Sequence, residues 1–160
     1  ATSVRVGIAH GRGVRADTAL AGWTGLGLCW LVTIPLGIAI SSAPETFFGL
    51  YSTDAALLPI ALPLIGYIVW VLPFDGGQTV VAMALRGVGE TWVPTGIQSL
   101  SYLGVMIPLS YALSIPLGHG PVGLMQATLI ASILSIGLQG MRFGHLTRVG
   151  SPRYAEAVAG

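Results

Sequence analysis

The sequence contains no lysine, so its seven basic side chains are all arginine. Charged residues make up 8% of the chain, against about 25% in an ordinary soluble domain, while 53% of it is hydrophobic. With a mean hydropathy of +0.79, this scarcity of charge excludes a soluble globular domain. A net charge of +1 is too small for a nucleic-acid partner. The single cysteine, Cys29, cannot form an intrachain disulfide or a cysteine metal framework, and within its apolar run it reads as a small core residue. His10, His119 and His145 fall in loops and tail with no ligand spacing, so no metal and no cofactor is assigned. An initial methionine and a signal peptide are also missing. The chain opens ATSVRVG and reaches Arg12 and Arg15 before its first apolar run, which reads as a piece cut from inside a longer protein.

Four long apolar segments are present: Ala19 to Ile40, Ala55 to Leu85, Pro94 to Leu117 and Pro121 to Met141. Each reaches the ~20 residues that a spanning helix needs. The second would be about 46 Å long if fully helical, so it is expected to tilt, to bend at Pro59, Pro63 or Pro73, or to begin outside the lipid. Pro35 and Pro108 sit inside the first and third segments, and the 23 glycines would be costly in soluble helices. In a membrane bundle, small residues let helices approach closely. The expected fold is all-α, a polytopic membrane bundle of four complete spans preceded by the inner end of another helix.

Asp75 stands out within VLPFDGGQTVVAMALRGVGE, between Pro73 and the pair Gly76 and Gly77. It lies eleven residues before Arg86, roughly 16 Å of helix, which puts it near the middle of a hydrocarbon layer about 30 Å thick. An aspartate at a helix centre costs about 2.5 to 3.5 kcal/mol on insertion scales, so it is kept where it faces a bundle interior or a wet cavity. Pro73 cannot donate to the carbonyl of Val69, and two glycines follow, the composition of an interrupted helix that lines a cavity.

The arginines orient the bundle. Arg5, Arg12 and Arg15 precede the first span, Arg86 separates the second from the third, and Arg142, Arg148 and Arg153 follow the fourth. Four spans bring all seven to one side, which the positive-inside rule makes cytoplasmic. The loops on the other side carry Glu45 and Asp54 as their charges. Residues 1–18 are therefore read as a cytoplasmic helix end and loop, 19–141 as the membrane part, and 142–160 as a cytoplasmic tail, poorly ordered from Gly144 onward. Trp23, Trp92, Tyr51 and Tyr154 lie near span borders, as in an aromatic belt. Lipid is thus the first partner.

Two separated patterns resemble one known family. ATSVRVGIAHGRG followed by ADTALAGWTGLGL is similar to the inner end of one helix and the start of the next in the MATE (multidrug and toxic compound extrusion) transporters. FDGGQTVVAMALRGVGETWVPTGIQSLSYLGVMIPLSYAL resembles a later stretch of that family, in which an acid-plus-glutamine helix leads to an LRG-x-G loop and a helix ending in PL-x-Y. The resemblance implies a piece of a twelve-helix transporter built of two six-helix lobes, from the end of the eighth helix to the twelfth. It also implies a plasma (bacterial inner) membrane location and a partner lobe outside this chain. The implied activity is secondary active efflux of bulky organic, often cationic compounds in exchange for H⁺ or Na⁺, without enzymatic chemistry.

Carried over residue by residue, Asp75 matches the acid that some members use for cation coupling, and Gln78 matches the glutamine one turn on, on the same face. The tyrosine that some members carry four residues before the acid is Val71 here, which removes an oxygen that a Na⁺ site of that kind would use. Gln78, Tyr67, Gln98 and Tyr102 are the candidate cavity-lining residues. For each a plainer use competes: interhelical hydrogen bonding for the glutamines, and packing or lipid contact for the tyrosines and Trp70. Asp75 itself has a structural alternative, a carboxylate paired with a polar neighbour on another helix. Arg86, Gly87 and Gly89 read as an inner-loop turn and headgroup anchor rather than substrate contacts. Two other functions share parts of this pattern. A lipid-linked saccharide flippase needs basic residues within the bundle to hold a pyrophosphate, and the spans contain none. An intramembrane zinc protease shares the LPFDGG-like segment but needs an HExxH motif that this sequence lacks.

Overall fold

The computed structural model describes residues 1–52, 54 and 56–148. Among them there is no strand. The helices are α1 (Thr2–Gly11), α2 (Arg15–Ser42), the short α3 (Pro44–Gly49), α4 (Leu58–Gly87), α5 (Trp92–Ser99), α6 (Ile107–Ser114) and α7 (Pro121–Thr147), with a π-helical segment, Leu100–Met106, joining α5 to α6. Among the described residues, α2, α4 and α7 are each long and apolar enough to cross a membrane as single helices. The remaining expected span is the continuous run of α5, the π segment and α6, called here the third span.

Helix starts follow local chemistry. Asp17 in the first turn of α2 complements the positive end of its dipole, and Pro44, Pro59 and Pro121 stand at the first or second positions of their helices, where a missing N–H is harmless. Pro59 therefore begins α4 rather than bending it, while Pro63 and Pro73 lie inside that helix. In the third span, Pro108 withholds an N–H and would press its ring on the carbonyl of Gly104 in α geometry. The wider π segment ends just before it and absorbs the mismatch. Gly118 and Gly120, at φ +71° and +55°, form the turn into α7.

Large apolar side chains point outward and small or polar ones inward. Leu20, Leu31, Leu103 and Ile115 are more than 60% exposed, while Ala82, Ala127, Ala131 and Ser132 are buried. That inversion is the one expected where lipid is the solvent. α4 is central, packing against α1, α2 and α7. One apolar core lies near the arginine end, where Val6, Leu26, Val81, Ala84, Leu85 and Phe143 meet. The ring of Phe143 sits on Gly22, where an added Cβ would come within 2.3 Å of Cζ. α7 also runs past Met141, because Phe143 and Thr147 continue the buried stripe of Gln139 while Arg142, His145 and Arg148 alternate with it. Residues 142–147, read from sequence as the start of a tail, are thus helical. The remaining tail calls, Arg153 and Tyr154 included, lie outside the described residues.

Candidate coupling site in the membrane interior

Asp75 and Gln78 sit one turn apart on α4, and the third span brings Tyr102 against them. Gln78 Nε2 donates to Asp75 Oδ1 at 2.8 Å, and the Tyr102 hydroxyl donates to the same oxygen at 2.7 Å. Gln78 Nε2 also reaches the Tyr102 hydroxyl oxygen. From α7, Ser132 Oγ lies 3.5 Å from Asp75 Oδ1. Donors from three elements thus gather on Oδ1, while Oδ2 takes no part in these bonds.

The backbone nearby is braced from α2. Trp30 Nε1 donates to the carbonyl of Pro73 at 3.0 Å, two residues before the acid. Gly77 makes room for this neighbour: a Cβ there would lie 3.0 Å from Trp30 Nε1 and 2.6 Å from Ile136 Cδ1. Thr79 Oγ1 donates to the carbonyl of Asp75 at 3.1 Å.

The other candidate residues fall elsewhere. Tyr67 lies two turns toward the opposite end of α4, where its hydroxyl accepts from Gln126 Nε2 at 2.8 Å. Gln126 Oε1 meets His119 Nδ1 at 2.8 Å. Gln98 is half-buried on α5, four residues before Tyr102, and takes no part in the Asp75 cluster. Arg86, in the last turn of α4, has Nη1 3.9 Å from Met83 Sδ. Gly87 lies against α1, where a Cβ would stand 2.7 Å from the Ser3 carbonyl oxygen, and Gly89 has φ +88°. Arg86 and the two glycines thus sit at the α4 end and the turn after it, apart from Asp75.

Several polar groups escaped the sequence reading. Glu90 pairs with Arg142: Nε donates to Oε2 at 2.9 Å and Nη2 to Oε1, tying the loop after α4 to α7. Gln139 Nε2 donates to Ser135 Oγ at 2.8 Å, both side chains being fully buried. Spacing held a signal here, since Ser132, Ser135 and Gln139 at steps of three and four share one helix face. Gln78 Oε1, Ser101 Oγ and Gln139 Oε1 are buried with no partner among the described residues, a condition that costs about 1 to 3 kcal/mol per group if left dry. A groove of about 760 Å³ runs between α2, α4 and α7, walled by Trp23, Trp30 and Phe74, and includes none of the sequence-predicted site residues.

Comparison with known proteins agrees with this architecture. Residues 1–112 match the MatE family model. The chain belongs to the MatE family. It is 35% identical over 143 residues to the probable multidrug resistance protein NorM of Caulobacter vibrioides, covering 89% of this chain and 30% of that protein. Against the probable NorM of Xanthomonas axonopodis pv. citri, identity is 32% over 148 residues, or 92% of this chain and 32% of the relative. The chain therefore spans about a third of the length of these relatives. The crystal structure of the eukaryotic MATE transporter AtDTX14 superimposes with a TM-score of 0.85 at 18% identity, covering 99% of this chain and 35% of that one, so the MATE fold is shared. This MatE chain is a membrane protein of that fold.

Proposed function

We propose that this MatE chain is the cation-coupling part of a secondary active multidrug exporter, moving bulky organic, often cationic compounds out of the cell in exchange for H⁺ or Na⁺. The observation that carries the reading is the carboxylate of Asp75, held among Gln78, Tyr102 and Ser132 in the interior of an apolar bundle. The NorM relatives, described as probable multidrug resistance proteins, support the substrate class. In this reading the arginine end faces the cytoplasm, the rest of the cavity is supplied by a further lobe, and the work is displacement rather than covalent chemistry. An ion that binds Asp75 better in one conformation than the other shifts their populations by that difference in affinity, and a gradient of the ion then drives export.

Asp75→Asn keeps the shape of the side chain and removes its charge. In the full transporter, reconstituted in proteoliposomes, the variant is expected to insert normally and bind substrate, with concentrative efflux lost. Gradient-coupled efflux at the parental rate would overturn the assignment and leave Asp75 a structural residue.

A further inference from the structure

We propose that the groove between α2, α4 and α7 binds one membrane phospholipid, its anionic headgroup at Arg148 and His145 and an acyl chain between Trp23, Trp30 and Phe74. The groove holds about 760 Å³, within the ~300–1,000 Å³ usual for a small-ligand site. Trp30 on α2, Phe74 on α4 and Ile136 on α7 are its lining residues farthest from the arginine end. From Ile136 to His145 is nine residues, roughly 14 Å of helix, close to half of a hydrocarbon layer about 30 Å thick. The groove therefore has the depth of one leaflet. A spanning helix from a further lobe would need an open face across the whole layer, whereas Trp30 Nε1, bonded to the Pro73 carbonyl at 3.0 Å, ties α2 to α4 at the inner end.

Its walls are set in advance. The Trp23 ring packs edge-on against Phe143, with centroids 5.8 Å apart, and Trp30 is held by its hydrogen bond, so a ligand need order neither indole. Between them α7 presents Gly137, Gly140 and Gly144, at steps of three and four along the groove. A Cβ on Gly137 would meet nothing within 4 Å, and one on Gly140 would stand 3.7 Å from Trp23 Cη2. An extended hydrocarbon chain fits such a slot of flat aromatic walls and glycine floor.

The mouth carries charge of one sign. Arg148 and His145 line it, both are exposed, and no carboxylate is among the lining residues. Neither side chain is in an ion pair among the described residues: Glu90 at this end is held by Arg142, and Asp17 lines a separate groove between α1 and α2 together with Arg5. Arg15 Nη1 lies 3.4 Å from the Arg148 carbonyl oxygen, which brings a second guanidinium to the mouth. Guanidinium groups pair with phosphate oxygens in a fixed fork, and basic pockets between membrane helices at the headgroup level hold anionic lipids. The same charges repel an organic cation, so this groove is distinct from the export path proposed above and independent of the role of Asp75.

The test uses the full transporter, purified in detergent and titrated with palmitoyl-oleoyl phosphatidylglycerol or its phosphatidylcholine counterpart while native mass spectrometry counts bound lipid. One phosphatidylglycerol is expected to be held more tightly than phosphatidylcholine. Arg148→Gln is expected to weaken the anionic lipid about fivefold, the share of one arginine near an anionic surface, and to leave phosphatidylcholine unchanged. Gly137→Leu, which puts a side chain into the open slot, is expected to abolish retention of the lipid without lowering the unfolding temperature. Equal binding of the two lipids, or an Arg148→Gln protein that binds phosphatidylglycerol as the parent does, overturns the proposal. So does a folded Gly137→Leu protein that keeps the lipid, or displacement of the lipid by glycerol phosphate alone, which would make the mouth a site for a soluble anion. Should Gly137→Leu fail to fold, Arg148→Gln, at an exposed position, still decides. A structure in phosphatidylglycerol nanodiscs is expected to show a lipid chain between Trp23 and Trp30, and a protein helix in that place would overturn the assignment.

Discussion

α4 meets its neighbours through two unlike faces. Toward α2 it fits backbone to backbone: a Cβ on Gly37 would lie 2.8 Å from Val69 Cα, and one on Gly76 would lie 3.1 Å from Cys29 Sγ. Toward the third span and α7 it presents Asp75 and Gln78 to a hydroxyl-rich wall. The first face is specified chiefly by volume, with Trp30 Nε1 to the Pro73 carbonyl as its hydrogen bond, and the second by hydrogen bonding between side chains. In lipid there is no hydrophobic drive between helices, so close packing and polar pairing are what remain to join them, and α4 assigns one to each side. The packed face is the natural strut, and the polar face is where bonds can exchange as an ion comes and goes.

Volume should break the first face hardest. Gly37→Ala drives a methyl group into the main chain of α4, which cannot rotate away, and is expected to destabilise the protein by about 3 kcal/mol, the upper end for overpacking. Unfolding in mixed detergent micelles measures it, and a loss below about 0.5 kcal/mol would show that the two helices slide apart freely. On the polar face Tyr102→Phe leaves volume nearly unchanged and removes one donor to the carboxylate. The expected cost is about 1.5 kcal/mol, between the values typical of charged hydrogen bonds and of bonds between membrane helices. A stability loss larger than that of Gly37→Ala would invert the comparison. Gln126→Leu, which cuts the Tyr67 and His119 bonds at the opposite end, should cost about 0.6 kcal/mol and leave efflux unchanged. A transport defect there would make that second polar chain part of the ion path.

The sequence made some of this legible and hid the rest. Length and apolarity located α2, α4 and α7, the three described helices long and apolar enough to cross a membrane, and the third expected span is helical but divided by its π segment. Spacing alone puts Asp75 and Gln78 on one face, since three residues is nearly one turn, and their side chains are hydrogen-bonded. The partner 27 residues away, Tyr102, was named as cavity-lining without its contact, because no periodicity within one helix reports which face of another it meets. Tyr67 was grouped with the site on residue type, yet two turns of helix carry it toward the other end. The serines of α7 looked bland one at a time, and Glu90 gave no hint of Arg142 across 52 residues. Helix ends were blurred wherever charged and buried residues interleave, as beyond Met141.

The π segment has a geometric consequence for Tyr102. Such a turn holds about one residue more than an α turn, so it shifts the angular phase of everything beyond it by roughly 100°. The α5 half of the third span and its α6 half are therefore two cams on one shaft, set at an offset by Leu100–Met106. Tyr102 lies on the offset itself. Were that extra residue taken up elsewhere along the span, the shaft would keep its length and place while the hydroxyl swung away from Asp75.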